Sequence, residues 1–297
     1  MAIEILHQDA PLGHEIRGVD LSGAIDDATF AEIEAAYDHY GTIVFRDQAL
    51  TPEQQLAFSR RFGPLDRYVL DRYNHKTWPE IFVISNIIGE DGEPIGMSDA
   101  GRYWHTDMWL THNPSRGSIL YALEVPVQGD EPLGDTYFAS TGAAYDALPA
   151  DLRARLDKTQ AVFSKRKYFE FRARTNKDID KASGQASQQA LADLGDEDIV
   201  HSIVRRHPRT GRKCLYLCEG VISRLIGWDE PESDAMIAFL ERHATSPEFV
   251  YRHRWRVGDL VMWDNSACIH KATGDFELPL RRHMHRTTLA NAAGPRP

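Results

Sequence analysis

Phe249-Val250-Tyr251-Arg252-His253-Arg254-Trp255-Arg256-Val257-Gly258-Asp259-Leu260-Val261-Met262-Trp263 is the stretch that decides the fold class. Phe249, Tyr251, His253 and Trp255 alternate with Val250, Arg252, Arg254 and Arg256, a period of two that puts the aromatic set on one face of a strand. Gly258-Asp259 reads as a turn and Leu260–Trp263 as the next strand. Toward the N-terminus, Ile81–Ser85, Arg102–Asp107, Ser118–Val125 and Thr136–Ala139 have the same character: short, rich in aromatic or branched residues, and divided by Gly, Pro and Asp. Many short strands with turn signals predict a sandwich or barrel, here carrying helices, so the class is α+β and mainly β. Asp27–Tyr40 is one such helix, with Phe30, Ile33, Tyr37 and Tyr40 at helical spacing. Thr42–Arg46 then reads as a strand between Gly41 and Asp47. Thr51-Pro52-Glu53-Gln54 opens a second helix with an N-cap, a proline at the first position and a capping-box Gln, and Gly63 closes it. A third spans Glu232–His243. Lys165 to Asp198 is polar, long and poor in aliphatics, which predicts an insertion acting as a lid over one mouth of the β core.

Composition narrows the function. The chain has 297 residues, 42% hydrophobic and 26% charged, as expected of a soluble globular protein, and reads as a single domain over 1–297. A net charge of −10 argues against nucleic acid as a partner. The basic run Lys165-Arg166-Lys167 reads as a solvated face. Without a run of eighteen apolar residues a membrane span is not expected, and Met1 to Asp20 has no basic-then-apolar pattern of a signal peptide. Cys214, Cys218 and Cys268 form no CxxC, which predicts buried thiols in a cytoplasmic protein rather than disulfides or a thiolate zinc site.

Trp104-His105-Thr106-Asp107 is the sharpest local signal. On a strand, His105 and Asp107 would share a face while Thr106 turns away, so both could reach one ion. With 13 histidines in the chain an HxD is weak alone, and a hydrogen-bonded His–Asp pair is the plainer account. The block Trp263-Asp264-Asn265-Ser266-Ala267-Cys268-Ile269-His270 offers a third ligand, His270, because a jelly-roll core can set a distant strand beside the first. Two His and one carboxylate with open positions is the set associated with non-haem Fe(II) oxygenases. Zinc in the same set, performing hydrolysis, is the competing reading. Arg281-Arg282-His283-Met284-His285-Arg286 bears on the choice. On a strand, Arg282, Met284 and Arg286 share one face, and a buried guanidinium fork suits a carboxylate. Surface salt bridges to some of the 44 acidic residues are the alternative.

Taken together, WHTD at Trp104–Asp107, GDT at Gly134–Thr136, WDN at Trp263–Asn265, His270 and the RRHMHRTT stretch from Arg281 to Thr288 resemble the TauD/TfdA family of Fe(II)/2-oxoglutarate-dependent dioxygenases. GTIVFRD at Gly41–Asp47, SRRFGPL at Ser59–Leu65 and PEIFV at Pro79–Val83 extend the resemblance over nearly the whole chain. It implies a double-stranded β-helix (jelly roll) core with flanking helices. It also implies Fe(II) on His105, Asp107 and His270, 2-oxoglutarate and O2 as co-substrates, and succinate and CO2 as products. By the same resemblance Thr136 and Arg282 would hold the distal carboxylate of 2-oxoglutarate. Arg286 would lie near its C1 carboxylate and the anionic group of the substrate.

The implied substrate is a small organic anion: a sulfonate, an aryloxyalkanoate or a similar carboxylate. Tyr68, Tyr73 and Met108 are candidate substrate contacts beside Arg286. Three departures qualify the match. Val127–Leu133 (VQGDEPL) is longer than the family's usual short turn, His270 lies twelve residues before Arg282 so that Arg281 is a possible substitute, and Asp66-Arg67-Tyr68 stands where taurine enzymes carry a substrate histidine. The tyrosine-containing segment before Pro79 and Lys167-Tyr168 also resemble relatives that form isonitriles from N-substituted glycines. A zinc hydrolase, a metal-free jelly-roll binding module and a homo-oligomeric assembly remain alternatives at this level.

Overall fold

Alternation along β6 (Gly117–Glu124) shows how the scaffold is built: Leu120 and Ala122 enter one apolar cluster, Ile119 and Tyr121 another on the opposite face. The structure is a computed structural model and describes residues 3–68, 71–175 and 198–291. Its main sheet runs β1 (Glu4–Leu6), β2 (His14–Arg17), β3 (Thr42–Phe45), β16 (Leu260–Asp264), β6, β18 (His283–Leu289) and β4 (Leu65–Asp66), with β5 (Ile81–Ser85) also paired to β18. Only the β2–β3 pair among these is parallel. A second sheet joins β15 (Val250–His253), β9 (Thr136–Ser140) and β17 (Cys268–Ala272). Val44, Leu120, Val261, Trp263 and Met284 of the first sheet share a buried cluster with Phe138 and Cys268 of the second. The other face of the main sheet buries Ile43, Phe45, Leu260 and Met262 against Ile33 and Tyr37 of α1 (Asp27–Tyr40) and Phe58 of α2 (Pro52–Arg60).

Local chemistry sets the helix ends. Asp26 caps α1 through Thr29 N, and Gly41, at φ 70°, ends it in the left-handed region where a Cβ is costly. Thr51 and Gln54 form the expected capping box at the start of α2. A third apolar cluster packs β10 (Gln160–Phe163) and β14 (Ile222–Leu225), which form a sheet with β11 (Ile199–Ser202), against the hairpin β12 (Val204–Arg206)–β13 (Lys213–Leu215). Around it lie α3 (Thr141–Asp146), α4 (Ala150–Leu156) and α6 (Glu230–Ala244). The chain is thus mixed α/β with more strand than helix among the described residues. No described helix is long and apolar enough to cross a membrane.

Four expectations change. Arg102–Asp107 is not a strand. It pairs only through an isolated bridge between His105 and His270, flanked by left-handed Gly101 (φ 71°) and Met108 (φ 57°). The segment following Ile81 holds α3 and α4, each too short for helical periodicity to register. Of the span expected to be an insertion, Lys165–Thr175 is a helix, α5, and 176–197 lies outside the described residues. The long VQGDEPL stretch is absorbed by a small hairpin, β7 (Val127–Gln128) with β8 (Glu131–Pro132).

Candidate metal centre

His270 sits on β17, paired with Phe138 of β9, and faces inward because Cys268 and His270 share a parity opposite to Ile269. Its ring lies 4.7 Å from that of Trp263 and 4.1 Å from that of His105. His105 reaches it through the two-way bridge, with His105 N donating to His270 O at 3.0 Å and His270 N to His105 O at 2.8 Å. His105, Asp107 and His270 each offer a ligand atom, all within 4.8 Å of one another, and all three residues are buried.

The surroundings orient these groups. His105 Nδ1 donates to Tyr103 O at 2.8 Å, which places the proton there and leaves Nε2, 3.8 Å from Asp107 Oδ1, as an open lone pair. Asp107 Oδ2 accepts from Ser118 Oγ of β6 at 2.8 Å, and Oδ1 accepts from Arg286 NH1 of β18 at 3.3 Å. Asn265 holds the loop from behind. Its carbonyl accepts from Thr106 Oγ1 and its side-chain oxygen from Asp107 N, while its amide nitrogen donates to Ser115. Met108, in left-handed backbone directly after Asp107, is a strained position of the kind that marks functional loops.

Electrostatics agree with a cation site. Burial pushes the Asp107 carboxyl up, but Arg286, His270, His105 and the Ser118 hydrogen bond outweigh it and hold the group well below the usual carboxylate range. Burial lowers both His105 and His270, keeping the imidazoles neutral and able to ligate. His270 Nδ1 is buried with no partner. Such an orphaned donor set, one carboxylate and two neutral imidazoles, fits a divalent metal.

Arg282 is buried, at 5% exposure, its Nε has no partner, and burial lowers its guanidinium to about 10. A buried guanidinium with an unpartnered Nε fits a carboxylate ligand. A Cβ at Gly134 would sit 3.4 Å from Arg282 Nε, so the GDT turn abuts the arginine. Thr136 is buried at the start of β9 and accepts from Trp255 Nε1 at 3.0 Å. Arg281, by contrast, is exposed and donates to Glu124. The Arg286 guanidinium lies beside the packed rings of Tyr68 (5.0 Å) and Phe82 (4.9 Å). The structure places Tyr73 elsewhere, in the inter-sheet core edge-on to Phe82.

Sequence reading did not single out Ser118, the anchoring role of Asn265, or Tyr103. Asn265 lay within the quoted WDN, whereas nothing local marks Ser118. A second grouping, Asp38, His207 and Asp264, also comes within 4.8 Å. There, however, Arg116 and Arg209 answer Asp38, and His207 donates to Asp264, so the charges are already met.

Comparison with known proteins places this geometry. The family model described as taurine catabolism dioxygenase TauD, TfdA family, matches residues 4–288. The chain is 34% identical over 289 residues to an α-ketoglutarate-dependent 2,4-dichlorophenoxyacetate dioxygenase of Cupriavidus pinatubonensis, covering 94% of each chain. It is 33% identical to an α-ketoglutarate-dependent sulfate ester dioxygenase of Pseudomonas putida, over 94% of this chain and 86% of that one. The crystal structure of a taurine dioxygenase from Burkholderia xenovorans superposes with a TM-score of 0.76 at 31% identity, covering 97% of this chain and 91% of that one.

Proposed function

The chain belongs to the TauD/TfdA family and is an Fe(II)- and 2-oxoglutarate-dependent dioxygenase, and from that premise we propose that His105, Asp107 and His270 hold the iron and that the substrate is a small organic anion. The observation that carries the ligand assignment is the convergence of these three buried side chains, with the His105 tautomer fixed by Tyr103 O. When bound, iron with 2-oxoglutarate and O2 supplies the oxidation, the co-substrate leaving as succinate and CO2.

The protein's own part is placement. Arg282 receives the distal carboxylate of 2-oxoglutarate, aided by the Thr136 hydroxyl, and in doing so gains the anion that its burial calls for. Arg286 steadies Asp107 and adds positive charge where anionic groups gather. Tyr68, tilted against Phe82 with ring centroids 4.2 Å apart, forms an apolar wall that keeps bulk water from the substrate's reacting carbon. The two facing sheets form one jelly-roll domain. Sulfate esters and aryloxyalkanoates are the substrate classes named for the relatives, and both are organic anions. They are the first compounds to assay.

The test is anaerobic titration. Protein with Fe(II) and 2-oxoglutarate develops a weak visible charge-transfer band, and His105→Ala, Asp107→Ala and His270→Ala lose both the band and succinate formation. A His270→Ala variant with the full band and full turnover overturns the ligand set.

A further inference from the structure

Arg286 is engaged by Asp107 and Arg282 faces the GDT turn, which leaves open which group meets the primary substrate's anion. The wall leading away from His105 answers it. The Tyr103 ring packs 4.7 Å from the His105 ring, and Tyr168 packs 5.8 Å beyond it. Both Tyr168 and Arg172 are carried by α5, where Tyr168, Phe171 and Arg172 fall on one helical face. Phe171 lies 5.8 Å from Tyr103, and the Arg172 guanidinium 5.9 Å from the Tyr168 ring. Arg172 NH2 donates to Asp99 Oδ2 at 2.7 Å, with both side chains largely buried, at 13% and 11% exposure. That contact occupies one prong of the fork and aims the remainder. The Tyr68 phenol is raised to about 12 chiefly by burial, against the lowering charges of Arg286 and Arg172.

We propose that Arg172, aimed by Asp99 and backed by Tyr103 and Tyr168, binds the anionic group of the primary substrate and selects a planar, aromatic organic anion with its reacting carbon turned toward the His105–Asp107–His270 centre. This rests on the dioxygenase reading above and deepens it. The three tyrosines supply ring faces for a flat apolar body. Asp99 and Asp107 are each already paired with a guanidinium, so among the described residues these two carboxylates of the wall are not left to meet an ammonium group, and a zwitterionic aminosulfonate is disfavoured.

The test uses phenoxyacetate, benzenesulfonate and 2-aminoethanesulfonate as probes of the anaerobic Fe(II)/2-oxoglutarate protein, with binding followed by calorimetry and by the shift of the charge-transfer band. The wild type binds at least one of the two aryl anions and binds the zwitterion at least tenfold more weakly. Arg172→Gln raises the dissociation constant of that aryl anion 10- to 100-fold and leaves the 2-oxoglutarate titration unchanged. Arg172→Lys restores the wild-type melting temperature through the Asp99 contact but does not restore aryl-anion binding. Loss of the band in the wild type defeats the dioxygenase reading itself. A normal band with no aryl anion bound overturns the Arg172 proposal alone. So does unchanged affinity in Arg172→Gln, or recovery of both melting and binding in Arg172→Lys, which is what a purely structural role would give.

Discussion

At the scale of single residues, two adjacent arginines have different fates. Arg281 makes an exposed ion pair with Glu124, an arrangement worth at most about 1 kcal/mol, so Arg281→Ala leaves 2-oxoglutarate binding within about twofold. Arg282 makes no ion pair among the described residues and its Nε is buried without a partner. Removing one partner of a buried charge pair costs about 2–5 kcal/mol, so Arg282→Ala raises the 2-oxoglutarate requirement by about 10²–10³ in mid-range. Arg282→Lys recovers little because an ammonium cannot reproduce the two-pronged contact. Anaerobic titration of the charge-transfer band in each variant checks the contrast, and a larger effect at Arg281 than at Arg282 refutes it. Asn265 makes a complementary case, because its side-chain oxygen touches no ligand atom yet accepts from the Asp107 backbone N–H, while its carbonyl accepts from the Thr106 hydroxyl. Outer partners of this kind typically contribute 10–100-fold in metal affinity, which is the loss expected for Asn265→Ala on titration with Mn(II). An unchanged Mn(II) affinity would show that the loop holds itself.

At the scale of elements, β18 joins the two halves of the site, lying between β6 and β5 and carrying Arg286. Its register shifts between His283 and Met284, so simple alternation holds only from Met284 onward. Met284 is fully buried between the sheets, and truncating such a side chain costs about 2–5 kcal/mol. Met284→Ala therefore lowers the denaturant midpoint strongly. The capping box on α2 provides the contrasting case. Thr51→Ala removes a cap worth about 1 kcal/mol and should lower stability while leaving 2-oxoglutarate titration unchanged. Equal loss of co-substrate binding in that variant would mean that α2 and the site are coupled.

At the scale of the whole molecule, buried titratable groups set the response to pH. Burial, with His283 and His75 nearby, lowers His285 to about 3, and burial lowers His201 to about 4. Unfolded histidines protonate near 6.5. Between the folded and unfolded values the unfolded chain binds more protons, so each histidine contributes stability that is fully present above 6.5 and is lost as pH falls toward 4 or 3. Glu241 acts in the opposite sense, since burial and the Glu219 charge raise it to about 7. It is more protonated in the folded state between its unfolded value and 7, and its contribution therefore weakens as pH rises through that window. Urea melts from pH 4.5 to 6.5 should show a flatter dependence for His285→Gln and a steeper rise of stability with pH for Glu241→Gln. The reverse order would refute these assignments.

The sequence by itself determined much of this protein, because the governing forces there are local. Period-two alternation placed β15, branched and aromatic runs between breakers placed β5, β9 and β16, caps and breakers bounded α1 and α2, and the residue types at His105, Asp107 and His270 offered a candidate donor set, which the fold brings together. Tertiary structure decided the rest. His105 and Asp107 do not converge by strand parity as expected. They lie on an irregular loop, held by the His105–His270 bridge, by Asn265 and by Ser118, partners between 11 and 165 residues away. Strand parity with Arg286 favoured Arg282 over Arg281, and the tertiary structure supplies the physical difference: Arg282 is buried beside Gly134 with its Nε unpartnered, whereas Arg281 is exposed and paired with Glu124. The helical character of Lys165–Thr175 was likewise masked, because its charged residues dominate the composition while the face bearing Tyr168 and Arg172 acquires meaning only against Tyr103 and Asp99. Local propensity is written in adjacent residues; a binding site is written in which distant residues the folded chain brings into contact.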